Sequence, residues 1–275
     1  MSNILDLEKK IAELESIIED MDKSAMLLVR RDLDLKRANE KLSSLDKNKS
    51  EFVAIAAHQM RTPLSAIRWS QQMILNDEFG PLNQDQKNIV KQTLQSVDSL
   101  VTLVTNLLIV DQLEVGKNEV IISKIDVVVV INQVIANLYQ LATEKRIRLV
   151  FNETNDQAFV DSNVDKMKDV ITNLLDNAIK YTPVDGNITL SVTKEAYDIE
   201  ISISDTGIGI PKEYASNLFS RFSRAENAKK VDPNGSGLGL YIVKKIIESN
   251  NGTIRFENND AGGSTFIIKL PKSEK

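Results

Sequence analysis

From residue 4 to about residue 50 the chain has neither glycine nor proline and is rich in Leu, Ile, Glu, Asp and Lys. Nothing in that stretch stops a helix, and its apolar residues fall at Ile11, Leu14, Ile18, Met21, Ala25 and Leu28, in alternating steps of three and four. This is the seam along which two helices supercoil, so the spacing predicts an N-terminal coiled coil. The rhythm slips where Asp32 falls on the seam, then resumes through Leu35, Ala38, Leu42 and Leu45. Such a slip changes the supercoil pitch locally. It fits a signalling helix as well as a plain dimerisation helix.

The helical pattern continues through Phe52, Ile55 and Ala56 to His58 and meets Pro63, which removes a donor and frees the carbonyl of Gln59. A bend is expected there, with helix resuming to about Leu75 and a loop over Asn76–Pro81. A second helix has its seam at Val90, Leu94, Val97, Val101, Val104 and Leu108 and ends near Gly116. Two helices joined by a short loop pack antiparallel, and two such hairpins make a four-helix bundle.

Beyond Gly116 the grain changes. Short β-rich runs (Glu119–Ser123, Arg148–Phe151, Asn187–Thr193, Asp198–Ser204, Gly252–Glu257 and Ser264–Lys269) alternate with helical stretches at Val127–Glu144, Val164–Tyr181 and Leu238–Ser249. Val127–Val130 resembles a strand, but Asp126 as N-cap and the spacing of Ile131, Val134, Ile135 and Leu138 favour a helix. The expected architecture is a mixed sheet with helices on one face. Three segments follow: a coiled coil over 1–48, a helical hairpin over 49–115 and an α/β domain over 116–275.

Composition excludes several chemistries. With no cysteine and one histidine among 275 residues, there is no thiolate nucleophile and no Cys- or His-rich metal centre, leaving oxygen-ligated cations such as Mg²⁺. A net charge of −5 argues against nucleic acid as a partner. No unbroken apolar run approaches the ~20 residues of a membrane span, and Met1–Asp6 lacks the features of a signal peptide. The expected location is the cytoplasm, either as a free chain or as the cytoplasmic part of a membrane-anchored parent.

Four groups of residues carry chemistry. His58 shares a helix face with Thr62 one turn on, lies beside the proline and is the one neutral nitrogen nucleophile near neutral pH. Asn173 and Asn177, spaced i, i+4, offer hard oxygen ligands suited to Mg²⁺, and Lys180 nearby suits a polyphosphate. The same residues also read as the polar face of an amphipathic helix. Asp205, at a strand end ahead of Gly207 and Gly209, can place an acceptor beside an amine. Gly235, Gly237, Leu238 and Gly239 open a helix whose N–H groups favour phosphate. The GxGxG spacing is neither the dinucleotide fingerprint nor a P-loop.

Taken in order, these groups resemble the two-component sensor histidine kinases from about Ser50 onward. Ala57–Leu64 matches the family's H box and Asn173–Pro183 its N box nearly residue for residue. Asp205–Ile210 is similar to the G1 box, Leu218–Arg224 to the F box and Gly235–Leu240 to the G2 box. The resemblance implies a dimeric helical hairpin followed by an ATP-binding domain of the Bergerat type. It also implies an autokinase that phosphorylates His58 and passes the phosphoryl group to an aspartate of a response-regulator receiver domain. In its terms Asp205 accepts from the adenine amine, Asn177 holds Mg²⁺ and Asn173 supports the phosphate side. Lys180 and Arg224 meet phosphate charge and Tyr181 the ribose or base. Gly207, Gly209, Gly235, Gly237, Leu238, Gly239 and Thr265 border the nucleotide, and Lys212–Asn234 forms a mobile lid.

One position departs from the pattern. The family usually carries Glu or Asp after the phosphoacceptor histidine, where this sequence has Gln59. Glutamine keeps the shape and an acceptor oxygen but takes no proton. The sequence therefore fits a slow kinase, a compensated natural variant or an engineered block. A pseudokinase that binds ATP without autophosphorylating and acts through regulator binding or phosphatase activity (for which Thr62 is present) stays open. So does an ATPase of the gyrase-like group, although those enzymes usually place a Glu where Asn173 stands.

Overall fold

The computed structural model describes residues 2–115, 122–153, 157–259 and 262–273. By contact density the chain divides into two units, Met1–Phe52 and Val53–Lys275. Helix α1 runs over Ser2–Leu75 and keeps its helical assignment through Pro63. In the first unit Met21, Leu28, Leu35, Leu42 and Leu45 are all exposed, so the seam read from the sequence is an apolar stripe on the helix surface. Ile11, Leu14 and Ile18 lie outside the described side chains.

In the second unit the end of α1 leads through Asn76–Asn83 into helix α2, Gln84–Val115. Asn83 caps α2 with a reciprocal pair: its Oδ1 accepts from the Gln86 N–H, and its own N–H donates to Gln86 Oε1, both at 2.9 Å. The α2 seam faces inward, with Val97 and Val104 buried and Val90, Leu94, Val101 and Leu108 half-buried. Arg68 of α1 reaches Asp98 of α2 at 2.8 Å, which fits the antiparallel hairpin. The expected boundary at Gly116 lies outside the described residues.

The α/β layer begins with β1, Ser123–Asp126, four residues beyond the expected run at Glu119–Ser123, whose first three residues lie outside those described. Asp126 caps helix α3, Val127–Glu144, by accepting from the Val128 N–H at 3.0 Å, as the sequence predicts. Strand β2, Arg148–Asn152, and strand β3, Phe159–Ser162, follow. The sequence reading missed β3 because its Phe-Val-Asp-Ser run is too short for a period to show. It pairs antiparallel with β1, outside the main sheet.

Helix α4, Val164–Tyr181, has Asn163 as its N-cap. Strands β4, Asn187–Lys194, and β5, Asp198–Asp205, come next. A 3₁₀ turn at Lys212–Asn217 and helix α5, Glu226–Val231, occupy the segment expected to be a lid. Helix α6, Gly239–Ser249, and strands β6, Thr253–Asn258, and β7, Ser264–Pro271, complete the order. The main sheet runs β2-β4-β5-β7-β6, parallel at β2–β4 and antiparallel elsewhere.

Alternation along the strands decides where the core lies. Ile188, Leu190 and Val192 of β4 and Ile199, Ile201 and Ile203 of β5 are buried on one face, which period-2 geometry aims at the helices. Against them pack Ile131 of α3, Met167, Ile171, Leu174, Leu175 and Ile179 of α4, and Ile242, Val243, Ile246 and Ile247 of α6. The opposite face carries hydroxyls, with Ser191 and Ser202 hydrogen-bonded at 2.9 Å. Neither Gln84–Leu113 nor Val127–Glu144 is an unbroken apolar run, though both reach the length and mean hydropathy of a bilayer crossing. In this fold α3 buries Val127, Val130, Ile131 and Val134 in the protein core.

Candidate functional site

A cleft of about 390 Å³ opens between the carboxyl end of β5, helix α4 and the amino end of α6, with α2 contributing Asp98, Ser99, Thr102 and Asn106. Ten predicted residues line it: Asn173, Asn177, Lys180, Tyr181, Asp205, Gly209, Arg224, Gly235, Gly237 and Gly239. Amphipathic spacing accounts for the α4 members. Ile171, Leu174, Leu175 and Ile179 are held in the core, so residues two positions away on a 100° per residue helix turn toward the cleft.

At one end sits Asp205, with 5% of its surface exposed. Its Oδ1 accepts from the Gly207 N–H at 2.7 Å and the Ser264 N–H at 3.2 Å. Its Oδ2 accepts from the Ser264 hydroxyl at 2.7 Å. A carboxylate oxygen has two acceptor positions. Oδ1 is therefore filled and Oδ2 keeps one position for a further donor.

Close backbone packing shapes this end. At Gly263, with φ +92°, a Cβ would lie 2.0 Å from the Asp205 carbonyl oxygen; at Gly207 it would lie 2.7 Å from the Tyr181 carbonyl oxygen. Both positions demand glycine. Two asparagines missed by the sequence reading hold the loop. Asn258 exchanges both amide bonds with Ile210, at 3.0 and 2.7 Å. Asn259 donates to the Asp205 carbonyl at 2.8 Å and accepts from the Thr265 hydroxyl at 2.7 Å. Thr265 is thus turned away from the cleft, and its neighbour Ser264 faces Asp205. Leu238 is 1% exposed and packs in the core instead of lining the cleft.

At the other end Asn173 donates to the Asp169 carbonyl at 2.8 Å, which leaves its amide oxygen directed at Gly239, where a Cβ would be 2.7 Å away. Lys180 lies 3.5 Å from Asp176 and 3.3 Å from Asp232. Burial works to lower the Lys180 pKa, but the two carboxylates outweigh it and hold the ammonium above its ordinary value. Arg224 lines the cleft and is also engaged by backbone. Its guanidinium donates to the carbonyls of Pro233 at 3.0 Å, Gly235 at 2.9 Å, Ala228 at 3.4 Å and Asp232. It ties Ala228, Asp232, Pro233 and Gly235 together, beside the 3₁₀ turn and α5.

Among the described residues no group of three His, Asp or Glu side chains could hold a metal unaided. The oxygen donors of Asn173 and Asn177 suit a cation that takes most of its ligands from phosphate and water. His58, Gln59 and Thr62 are exposed on α1, outside the cleft lining. The Thr62 hydroxyl donates to the His58 carbonyl at 3.4 Å.

Comparison with known proteins gives this arrangement a family. Residues 48–116 match the His Kinase A (phospho-acceptor) domain, and residues 162–274 match the histidine kinase-, DNA gyrase B- and HSP90-like ATPase domain. The chain belongs to the two-component sensor histidine kinases. It is 32% identical over 275 residues to the signal transduction histidine-protein kinase BarA of Escherichia coli and 30% identical over 271 residues to hybrid signal transduction histidine kinase D of Dictyostelium discoideum. Each match covers 96% of this chain but only 28% and 16% of the relative. Sensor protein SrrB of Staphylococcus aureus is 30% identical over 257 residues, 94% of this chain and 43% of its own length. The catalytic domain of the histidine kinase ThkA superposes with a TM-score of 0.50 at 28% identity over 55% of this chain and 97% of that one. Full-length ShkA in complex with AMPPNP superposes with a TM-score of 0.66 over 80% of this chain and 45% of that one; at 23% identity it bears on the fold alone. The ATPase-type match over residues 162–274 supplies most of the cleft lining, and the phospho-acceptor match over 48–116 supplies Asp98, Ser99, Thr102 and Asn106.

Proposed function

We propose that the chain is an ATP-dependent autokinase: the cleft binds ATP, the γ-phosphoryl group goes to His58, and a response-regulator aspartate receives it next. The observation that carries this reading is Asp205, buried with one acceptor position open, across a cleft from Lys180 and the glycine-rich start of α6. An aminated purine suits the first and a polyphosphate the second.

In the transfer, the neutral Nε2 of His58 attacks the γ-phosphorus. The bond from that phosphorus to the β–γ bridging oxygen breaks, and ADP departs with the electron pair. The Nδ1 proton is left on a cationic ring; Gln59 can accept a hydrogen bond from it but cannot remove it, so solvent must. In the onward transfer the regulator carboxylate attacks the phosphorus, the Nε2–P bond breaks with its electron pair left on the ring, and a proton taken back from solvent returns His58 to neutral imidazole. Asn177 would hold Mg²⁺, which when bound would supply charge neutralisation to the phosphates, and Asn173 would support the phosphate side. His58 does not line the cleft, so positioning and domain movement govern the rate.

Exposed Ile55, Ile67, Leu100 and Leu107 on the hairpin favour a homodimer in which a second copy covers them. The cytoplasm, which supplies ATP, is the working location. The test is incubation with γ-labelled ATP and Mg²⁺. Acid-labile, base-stable label that disappears in His58→Ala is the expected result. Tight ATP binding with no label in the parent would replace this reading with the pseudokinase or phosphatase one.

A further inference from the structure

The two cations of the cleft, Lys180 and Arg224, converge on one carboxylate. Asp232 Oδ2 lies 3.3 Å from Lys180 Nζ and 4.0 Å from Arg224 Nη2. Its Oδ1 accepts from the Asn234 N–H at 3.1 Å, which fixes the side chain in a turn of its own loop. The carboxylate hangs over Gly235, where a Cβ would come within 2.7 Å of Oδ2. Gly235, Gly237 and Gly239 lead into the amino end of α6, which carries positive potential. A carboxylate is therefore seated where two cations and a helix end make the cleft most attractive to an anion. Asp176 also faces Lys180, at 3.5 Å, but from the same helix. Asp232 comes from the lid.

We infer that Asp232 is a specificity-determining residue of the nucleotide site, a lid carboxylate occupying the seat of the phosphates that the ligand's own phosphate chain must displace. The inference rests on the cleft being the nucleotide site proposed above. A polyphosphate replaces one carboxylate charge with several and so wins the exchange; a nucleoside has nothing to offer Lys180 and leaves Asp232 in place. Affinity is thereby graded by phosphate charge. Because Arg224 ties the same loop through the Pro233 and Gly235 carbonyls, swinging Asp232 out also shifts the lid. Charge recognition and lid rearrangement become one event.

The experiment is calorimetric titration of the whole chain with Mg²⁺–AMPPNP and, separately, with adenosine. Asp232→Asn keeps an oxygen for the Asn234 N–H and removes the charge. It is expected to bind AMPPNP about 3- to 10-fold more tightly than the parent, the size of one part-buried ion pair, with adenosine affinity unchanged. Asp232→Ser, which can also accept from Asn234, should show the same tightening, so the result does not depend on one variant folding. Asp232→Glu should match the parent. AMPPNP affinity that is unchanged or weaker in both neutral variants, or adenosine tightened as much as AMPPNP, overturns the inference and leaves the site assignment standing. A parent that binds neither ligand overturns the site assignment and the inference with it.

Discussion

Lys145 ties the end of α3 to the end of α4 outside the cleft. It follows α3, and its ammonium donates to the carbonyls of Ile179 and Lys180 at 2.9 Å each and of Thr182 at 3.4 Å. The first two oxygens belong to the last turn of α4 and the third to its C-cap residue, where carbonyls have no intrahelical partner and the helix dipole is negative. Lys145→Met keeps the stem and removes the donors and the charge. Hydrogen bonds to a charged group contribute roughly 1.5–3 kcal/mol each. Lys145 is only half-buried, and water can take over part of the role, so a total loss of about 2–3 kcal/mol is expected. For a folding unit of this size each kcal/mol moves Tm by roughly 2–4 °C, giving a fall of about 4–12 °C. The same turn carries Lys180 and Tyr181 into the cleft, so nucleotide affinity should fall as well. Lys145→Arg should recover much of both losses. The assay is thermal unfolding followed by circular dichroism, with nucleotide titration of each variant well below its Tm. A Lys145→Met protein melting within about 1 °C of the parent would refute the reasoning.

Gly263→Ala should cost roughly 2–4 kcal/mol and weaken nucleotide binding at least tenfold, because its Cβ would meet the Asp205 carbonyl at 2.0 Å; Gly262→Ala, at φ +90° with nothing within 4 Å, isolates the backbone strain alone. Equal Tm losses in the two variants would remove the steric account. Gln59→Glu restores a group that can take the imidazole proton and should raise His58 labelling about tenfold or more; unchanged label would show that proton removal does not limit the rate. Asp169 is half-buried on α4, and its pKa is raised by that burial, opposed by Lys166 and assisted by Asp165. A raised carboxylate makes the fold most stable below the ordinary aspartate value of 3.8 and less stable as pH climbs through the folded value. Asp169→Asn should accordingly raise Tm at neutral pH and leave it unchanged in acid, and the reverse pattern across a pH series would contradict the burial argument.

The elements legible in the sequence were those whose local code and tertiary setting agree. Asp126 and Asn163 cap helices that carry a clean apolar face, and α3 and α4 begin and end where periodicity places them. Strand β3 was illegible because four residues, Phe159–Ser162, hold too little pattern to separate from a loop. The site divides in the same way. Asn173, Asn177 and Asp205 are recognisable because helix period and strand ending fix where they project, whatever the surrounding residues do. The hydrogen-bond partners of Arg224 and Thr265 were not, since the sequence gives the chemistry of a side chain without the identity of its partner. A guanidinium near a glycine-rich loop reads as a phosphate ligand; the fold adds that it holds the lid carbonyls of Ala228, Asp232 and Pro233 and the carbonyl of Gly235 just beyond. A threonine after Gly263 and Ser264 reads as a ligand contact until β-sheet alternation turns it toward Ser204 and Asn259 and turns Ser264 toward Asp205. Asp232 is the limiting case. It stands in a Val-Asp-Pro-Asn run that looks like an ordinary turn, and its significance exists only because Lys180, 52 positions earlier in the chain, lies 3.3 Å away. Motif spacing can identify the cations a polyphosphate needs. Which anion already holds them is a property of the folded chain, and it decides what the ligand must displace on entry.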